Sequence, residues 1–140
     1  MKIDVNWLGK GLHFESENET NGKIRIDGSN SIGGLEGGLS PMQLLLAGAG
    51  GCSAIDVVSI LEKQKQKLTG LKVEVDGDRQ KVKGAKHSEY KTIHMHYIFE
   101  GDLDPKKVER ALELSVTKYC SVSKALEKGS EISYDYEILN

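Results

Sequence analysis

Apolar and polar residues alternate in several short stretches of this chain, the two-residue period of a strand with one buried face. Ile3, Val5 and Trp7 alternate with polar neighbours, the pattern resumes from Leu12 to Phe14, and KIRIDG makes a third short strand ended by Asp-Gly. ENETNG reads as the turn before it. GLKVEVDGDRQ at 70–80 and EYKTIHMHYIFEG at 89–101 alternate over longer spans, with the polar QKVKGAKHS as a hairpin loop between them. EISYDYEIL closes the chain as a last strand.

Two stretches read as long helices instead. Ser40-Pro41 opens the first, serine as N-cap and proline at the first helical position, and the helix is predicted to run to about Lys67. Asp104-Pro105 opens the second, where Val108, Ala111, Leu112 and Ser115 recur at helical spacing, and Ser121 is placed to cap a short third helix through Leu126. The order β-β-β-α-β-β-α-α-β predicts a single α+β domain over residues 1–140, a mainly antiparallel sheet packed on one long central helix.

That long helix is apolar nearly all round from Leu44 to Leu61. Such a helix must be buried on every side, and one layer of sheet covers only part of it. A second copy of the chain would cover the rest, so a homodimer is expected. Between the third strand and this helix lies GSNSIGGLEGGL, glycine-rich and without a hydrophobic period, which reads as a mobile loop and a candidate lid.

Composition narrows the picture further. The chain has 140 residues, 38% hydrophobic and 29% charged, with a net charge of −2. A soluble globular domain fits these values, and neither nucleic acid nor an anionic membrane is indicated as partner. Asp4 and Asn6 interrupt the apolar residues of the N-terminus, so no signal peptide is read there. Gly48, Gly50, Gly51 and Asp56 interrupt the most apolar run, which argues against a membrane span. The expected location is the cytoplasm, where a permanent disulfide is disfavoured and a transient one is not.

Cys52 and Cys120 are the two cysteines. Cys52 follows GAGG in the middle of the long helix, where small residues admit another backbone or a substrate. Cys120 falls at a predicted helix start, where unpaired N–H groups favour a thiolate. The other reading of both is a small buried hydrophobe. His94 and His96, two apart on one strand, share a face and read as solvent-facing rather than as half of a metal site. Asp56, one helical turn after Cys52, reads as a hydrogen-bonding partner within the interface.

The blocks SPMQLLLAGAGGCSAIDVVSIL, GLKVEVDGDR and KTIHMHYIFEGDLDPKKVERALELSVTKYCSVSKAL together resemble the OsmC/Ohr family, the osmotically inducible and organic-hydroperoxide-resistance proteins. The resemblance runs from the first strand to the last and is closest to the OsmC-like branch. It implies an intertwined homodimer with two sites at its interface. It also implies a thiol-dependent peroxidase: Cys52 attacks an organic hydroperoxide and becomes a sulfenic acid, Cys120 condenses with it to a disulfide, and a cellular dithiol reduces the pair. Neither a cofactor nor a metal is implied.

Active members also use an arginine and a glutamate. Gln43 stands where the related branch has that glutamate, and an amide forms no salt bridge. Of Arg25, Arg79 and Arg110, Arg25 is the best match for the arginine. Met42, Gln43 and Tyr119 are expected to line the substrate pocket. The alternative is a non-catalytic dimer of the same fold that binds a small apolar ligand, and a third reading is a metal-binding protein using Cys and His.

Overall fold

The computed structural model describes residues 1–139. The chain divides into two compact units, Met1–Leu45 and Leu46 onward.

In the first unit three short strands, β1 (Ile3–Trp7), β2 (Phe14–Asn18) and β3 (Lys23–Ile26), form an antiparallel sheet in the order β1-β2-β3. The β2–β3 turn is held by Asn18, whose Oδ1 accepts from the N–H of Thr20 at 2.9 Å and of Gly22 at 2.8 Å. Alternation in β1 marks a face, yet Ile3, Val5 and Trp7 are all more than half exposed.

The glycine-rich stretch expected as a mobile loop is organised around Asp27, a residue the pattern did not single out. Its carboxylate accepts from the N–H groups of Gly28 (2.8 Å), Leu35 (3.2 Å) and Gly37 (3.0 Å). Burial opposes ionisation of Asp27, but these three donors and nearby His13 outweigh it and hold the carboxyl below its ordinary range. Asn30–Ile32 form a 3₁₀ turn inside the loop.

Helix α1 (Pro41–Lys63) starts with a capping box, Ser40 N–H donating to Gln43 Oε1 at 2.9 Å and Gln43 N–H to Ser40 Oγ at 3.2 Å. Glutamine serves this motif as well as glutamate. The helix ends at Lys63, short of the expected Lys67. Lys65 adopts φ 57°, Gln66 N–H donates to Leu61 C=O and Lys65 N–H to Glu62 C=O, both at 2.9 Å. This is a Schellman stop with lysine where glycine is usual, and so it leaves no mark in EKQKQK.

The second unit holds β4 (Lys67–Lys81), β5 (Ser88–Asp102), α2 (Pro105–Leu114), α3 (Ser121–Leu126) and β6 (Glu131–Leu139). β5 lies in the middle of its sheet, antiparallel to β4 and parallel to β6. The single sheet read from the pattern is thus two three-stranded sheets, and the α2–α3 crossover makes the last pairing parallel, as such connections allow. Alternation in β5 buries Ile93, Met95, Tyr97 and Phe99, the last three in one core with Ala49, Val57 and Leu61 of α1 and Val108, Ala111 and Leu112 of α2.

α1 is long and apolar enough to cross a membrane by length and composition alone. Ala49, Gly50, Ser53, Val57 and Leu61 form its buried stripe, and core packing accounts for that side. Ile55 remains 69% exposed and Val58 39% exposed in the single chain, so complete burial is not met by this chain itself. A Cβ on Gly50 would lie 2.8 Å from Val75 Cγ2 on β4. Gly50→Ala is expected to destabilise by about 1–2 kcal/mol in urea unfolding, because overpacking outweighs the gain in helix propensity of about 1 kcal/mol.

Candidate active site

Two elements of the second unit deliver the thiols. Cys52 projects from α1, after a run of small residues, and is partly buried. Cys120 stands between α2 and α3 and is fully buried. The two sulfurs and a carboxylate oxygen of Asp56 all lie within 4.8 Å of one another. Residues far apart in sequence are therefore brought to one place.

A π-helical turn, Ser115–Tyr119, sets the position of Cys120, whose N–H donates to Ser115 C=O at 2.7 Å. Wide turns of this kind interrupt helices mostly at functional sites. Cys120 itself, and not Ser121, is the N-cap of α3: its Sγ accepts from Ser123 N–H at 3.4 Å. Burial pushes the Cys120 thiol up, against lowering by Ser123, and neighbouring Cys52 adds to the rise. The helix start expected to favour a thiolate is outweighed by desolvation.

A buried polar chain runs beside the thiols. Ser115 Oγ is shared between Asp56 Oδ2 at 3.2 Å and Ser53 C=O at 3.0 Å. Ser53 Oγ meets Tyr97 OH at 2.6 Å, and Tyr97 OH lies 3.5 Å from Met95 Sδ. Burial pushes the Tyr97 phenol up to about 12, despite the Ser53 hydrogen bond, with Cys120, Tyr134 and Asp56 adding to the rise. Ser53, Ser115 and Ser123 were not singled out as site residues. Ser115 carried only a helical-spacing signal, and a serine's partner across an element leaves no local pattern.

The other expected site residues stand as follows. Arg25, in the first unit, donates through Nε to Glu15 Oε2 at 2.7 Å and lies 3.5 Å from His13 Nε2. Gln43 has its side-chain oxygen committed to the capping box. Met42 is on the first turn of α1. Tyr119 is half exposed, with the Lys118 ammonium 5.8 Å from its ring centroid. Arg79 donates to Ser88, and Arg110 pairs with Glu113 on α2 at 3.2 Å.

His94 and His96 lie on the outer face of the second sheet, where β6 supplies partners. Asp135 Oδ1 is 2.6 Å from His96 Nδ1 and 3.0 Å from His94 Nε2, and Ser133 Oγ is 2.7 Å from His94 Nδ1. The Asp135 hydrogen bond raises the His96 pKa, while His96 and then His94 lower that of Asp135. Stability from His96 is full below its ordinary pKa and lost as pH rises through the raised value. Stability from Asp135 is present above the ordinary carboxyl range and lost as pH falls through its depressed value. Asp135→Asn is expected to move the His96 titration down toward its ordinary 6.5, read by the imidazole proton shifts in NMR; an unmoved titration would contradict this pairing.

The chain matches the family of OsmC-like proteins over residues 33–135. It belongs to that family. It is 38% identical to Protein YhfA of Escherichia coli (strain K12) over 140 residues, covering 99% of this chain and 98% of that one. Among solved structures it is similar to a hypothetical protein from Aquifex aeolicus VF5 (28% identity, TM-score 0.78, covering 99% and 97% of the two chains). It also shares the fold of an organic hydroperoxide resistance protein OsmC from Legionella pneumophila (16% identity, TM-score 0.72, covering 97% and 95%). The α+β fold read from the sequence is thus the OsmC-like fold.

Proposed function

We propose that the protein is a thiol-dependent peroxidase that reduces organic hydroperoxides. The observation that carries this reading is the approach of Cys52 and Cys120 to within 4.8 Å from separate elements. A disulfide needs the sulfurs at about 2.05 Å, a closure within reach of side-chain rotation and a small shift at the π turn. Cys52, the more accessible thiol, takes the attacking role, and the buried Cys120 resolves.

In the first step the Cys52 thiolate attacks the distal oxygen of the hydroperoxide. The O–O bond breaks, the alcohol leaves with a proton, and Cys52 becomes a sulfenic acid. The Cys120 sulfur then displaces hydroxide, which leaves as water, and the S–S bond forms. A dithiol returns two electrons and two protons to the pair by exchange. That a fold relative bears the name of a hydroperoxide resistance protein is consistent with this chemistry.

The reading includes a homodimer in the cytoplasm. Support for the dimer comes from the largely apolar groove of about 360 Å³ lined by Ala54, Ile55, Val58, Ser59, Leu71 and Val73, beside the exposed apolar face of α1. Arg25 is the proposed activating cation, and Met42, Gln43 and Tyr119 the proposed pocket lining. One observation favours the second reading, a non-catalytic binder of small apolar ligands: Arg25 is already paired with Glu15, and Gln43 with Ser40. Turnover of cumene hydroperoxide with a dithiol reductant separates the two. Sustained consumption that depends on Cys52 supports the peroxidase, and none supports the binder.

A further inference from the structure

The thiol pair has a third member that the peroxidase cycle does not use. Asp56 places a carboxylate oxygen within 4.8 Å of both sulfurs. The proposed redox cycle gives that carboxylate no step. As a metal ligand set, the same three groups are complementary to a soft or borderline cation.

The distances suit that role. Tetrahedral zinc, with Zn–S about 2.3 Å and Zn–O about 2.0–2.2 Å, places its ligand atoms about 3.5–3.8 Å apart. The pairs here need to close by roughly 1 Å at most, which side-chain rotation supplies. Outer contacts are in place as well. Ser115 Oγ donates to Asp56 Oδ2, and Ser123 N–H donates to Cys120 Sγ. Such partners orient ligands and tune their basicity.

An independent observation comes from Ser123. Its hydroxyl is fully buried beside the Cys120 sulfur and finds no oxygen or nitrogen partner. A buried hydroxyl without a full partner is costly, and negative charge held on that sulfur by a metal would give it one.

We propose that Cys52 Sγ, Cys120 Sγ and an Asp56 carboxylate oxygen bind one zinc ion per chain in the reduced protein, leaving a fourth tetrahedral position open. Binding releases the two thiol protons to solvent, so two thiolates, one carboxylate and Zn²⁺ leave the site with a single negative charge. Two sulfur donors disfavour magnesium and calcium, and the carboxylate favours zinc over copper(I). The ion occupies the electron pairs that would attack a peroxide. Conversely, oxidation of both thiolates to the disulfide, with a hydroperoxide taking two electrons and two protons to give alcohol and water, removes two of the three ligands and frees the zinc. Occupancy and oxidation are mutually exclusive.

The test is titration of the reduced full-length protein with Cd²⁺ in the absence of oxygen and peroxide, following the thiolate-to-cadmium charge-transfer band in the ultraviolet, with Zn²⁺ as competitor. The band is expected to saturate at one Cd²⁺ per chain, to be displaced by Zn²⁺ and to be lost in Cys52→Ser and Cys120→Ser. In Asp56→Asn the affinity is expected to fall at least about tenfold, with unchanged far-ultraviolet circular dichroism. Absence of the band, or a band indifferent to the cysteine substitutions, would overturn the site. Unchanged affinity in Asp56→Asn would remove Asp56 from it and overturn the three-ligand assignment. Should Cys120→Ser not fold, Cys52→Ser and Asp56→Asn carry the test. None of these readouts involves hydroperoxide turnover, so a failure here leaves the peroxidase reading standing, and the reverse also holds.

Discussion

Hydroperoxide consumption by Cys52→Ser is expected to fall to the rate of the reductant alone, whereas Cys120→Ser is expected to complete one turnover per chain and stop. The contrast follows from the chemistry of the two positions. A serine hydroxyl has no accessible anion near neutral pH, so without Cys52 nothing attacks the O–O bond. Without Cys120 the attack proceeds, but the Cys52 sulfenic acid has no neighbouring thiol. It should accumulate and be trapped by dimedone on the peptide that carries Cys52. A C120S protein that turns over normally would mean that resolution comes from the reductant directly, and the approach of the two sulfurs to within 4.8 Å would lose its catalytic meaning.

Ile55→Asp is expected to convert the protein from dimer to monomer in analytical ultracentrifugation and to abolish activity with it. In the single chain Ile55 is 69% exposed and lines the groove between α1 and β4. If that face met only water, an aspartate would change stability by less than about 0.5 kcal/mol, as most surface substitutions do. In the proposed dimer it would bury an unpaired carboxylate, a cost of several kcal/mol that the interface would have to offset. The size of the response thus reports what covers α1. A wild-type monomer, or an I55D dimer as stable as the wild type, would contradict the proposed interface.

Much of this fold was legible because the long strands and α2 carry a strong period and the helix starts carry capping signals. The alternation of Ile93, Met95, Tyr97 and Phe99 against His94 and His96 states both the strand and its buried face. Asp104-Pro105 states the start of α2, where the Asp104 carboxylate does accept from Lys106 N–H at 3.0 Å. The misses have local causes. Lys65 closes α1 with a positive φ that its residue type does not announce. The division into two sheets depends on pairing partners, which a one-dimensional pattern does not contain. Asp27 looked like part of a turn because its three backbone donors come from residues up to ten positions away.

The site was legible only in part. Cys52 and Cys120 stand out by their scarcity and by the blocks around them, but only the fold brings their sulfurs to within 4.8 Å of one another. Ser115 and Ser123 did not stand out, since a serine in a helical pattern signals nothing about the sulfur or carboxylate it will meet. From the sequence Gln43 reads as an amide in an acid's place and as pocket lining. Its capping-box geometry shows a local duty that glutamine and glutamate perform equally.

The measurement that bears most directly on the thiol pair is a free-thiol count and peptide map after one equivalent of cumene hydroperoxide is added to the reduced, metal-free protein. The account predicts loss of both thiols within seconds and a single disulfide-linked peptide pair containing Cys52 and Cys120. Two thiols still titratable after prolonged exposure to excess hydroperoxide would contradict it.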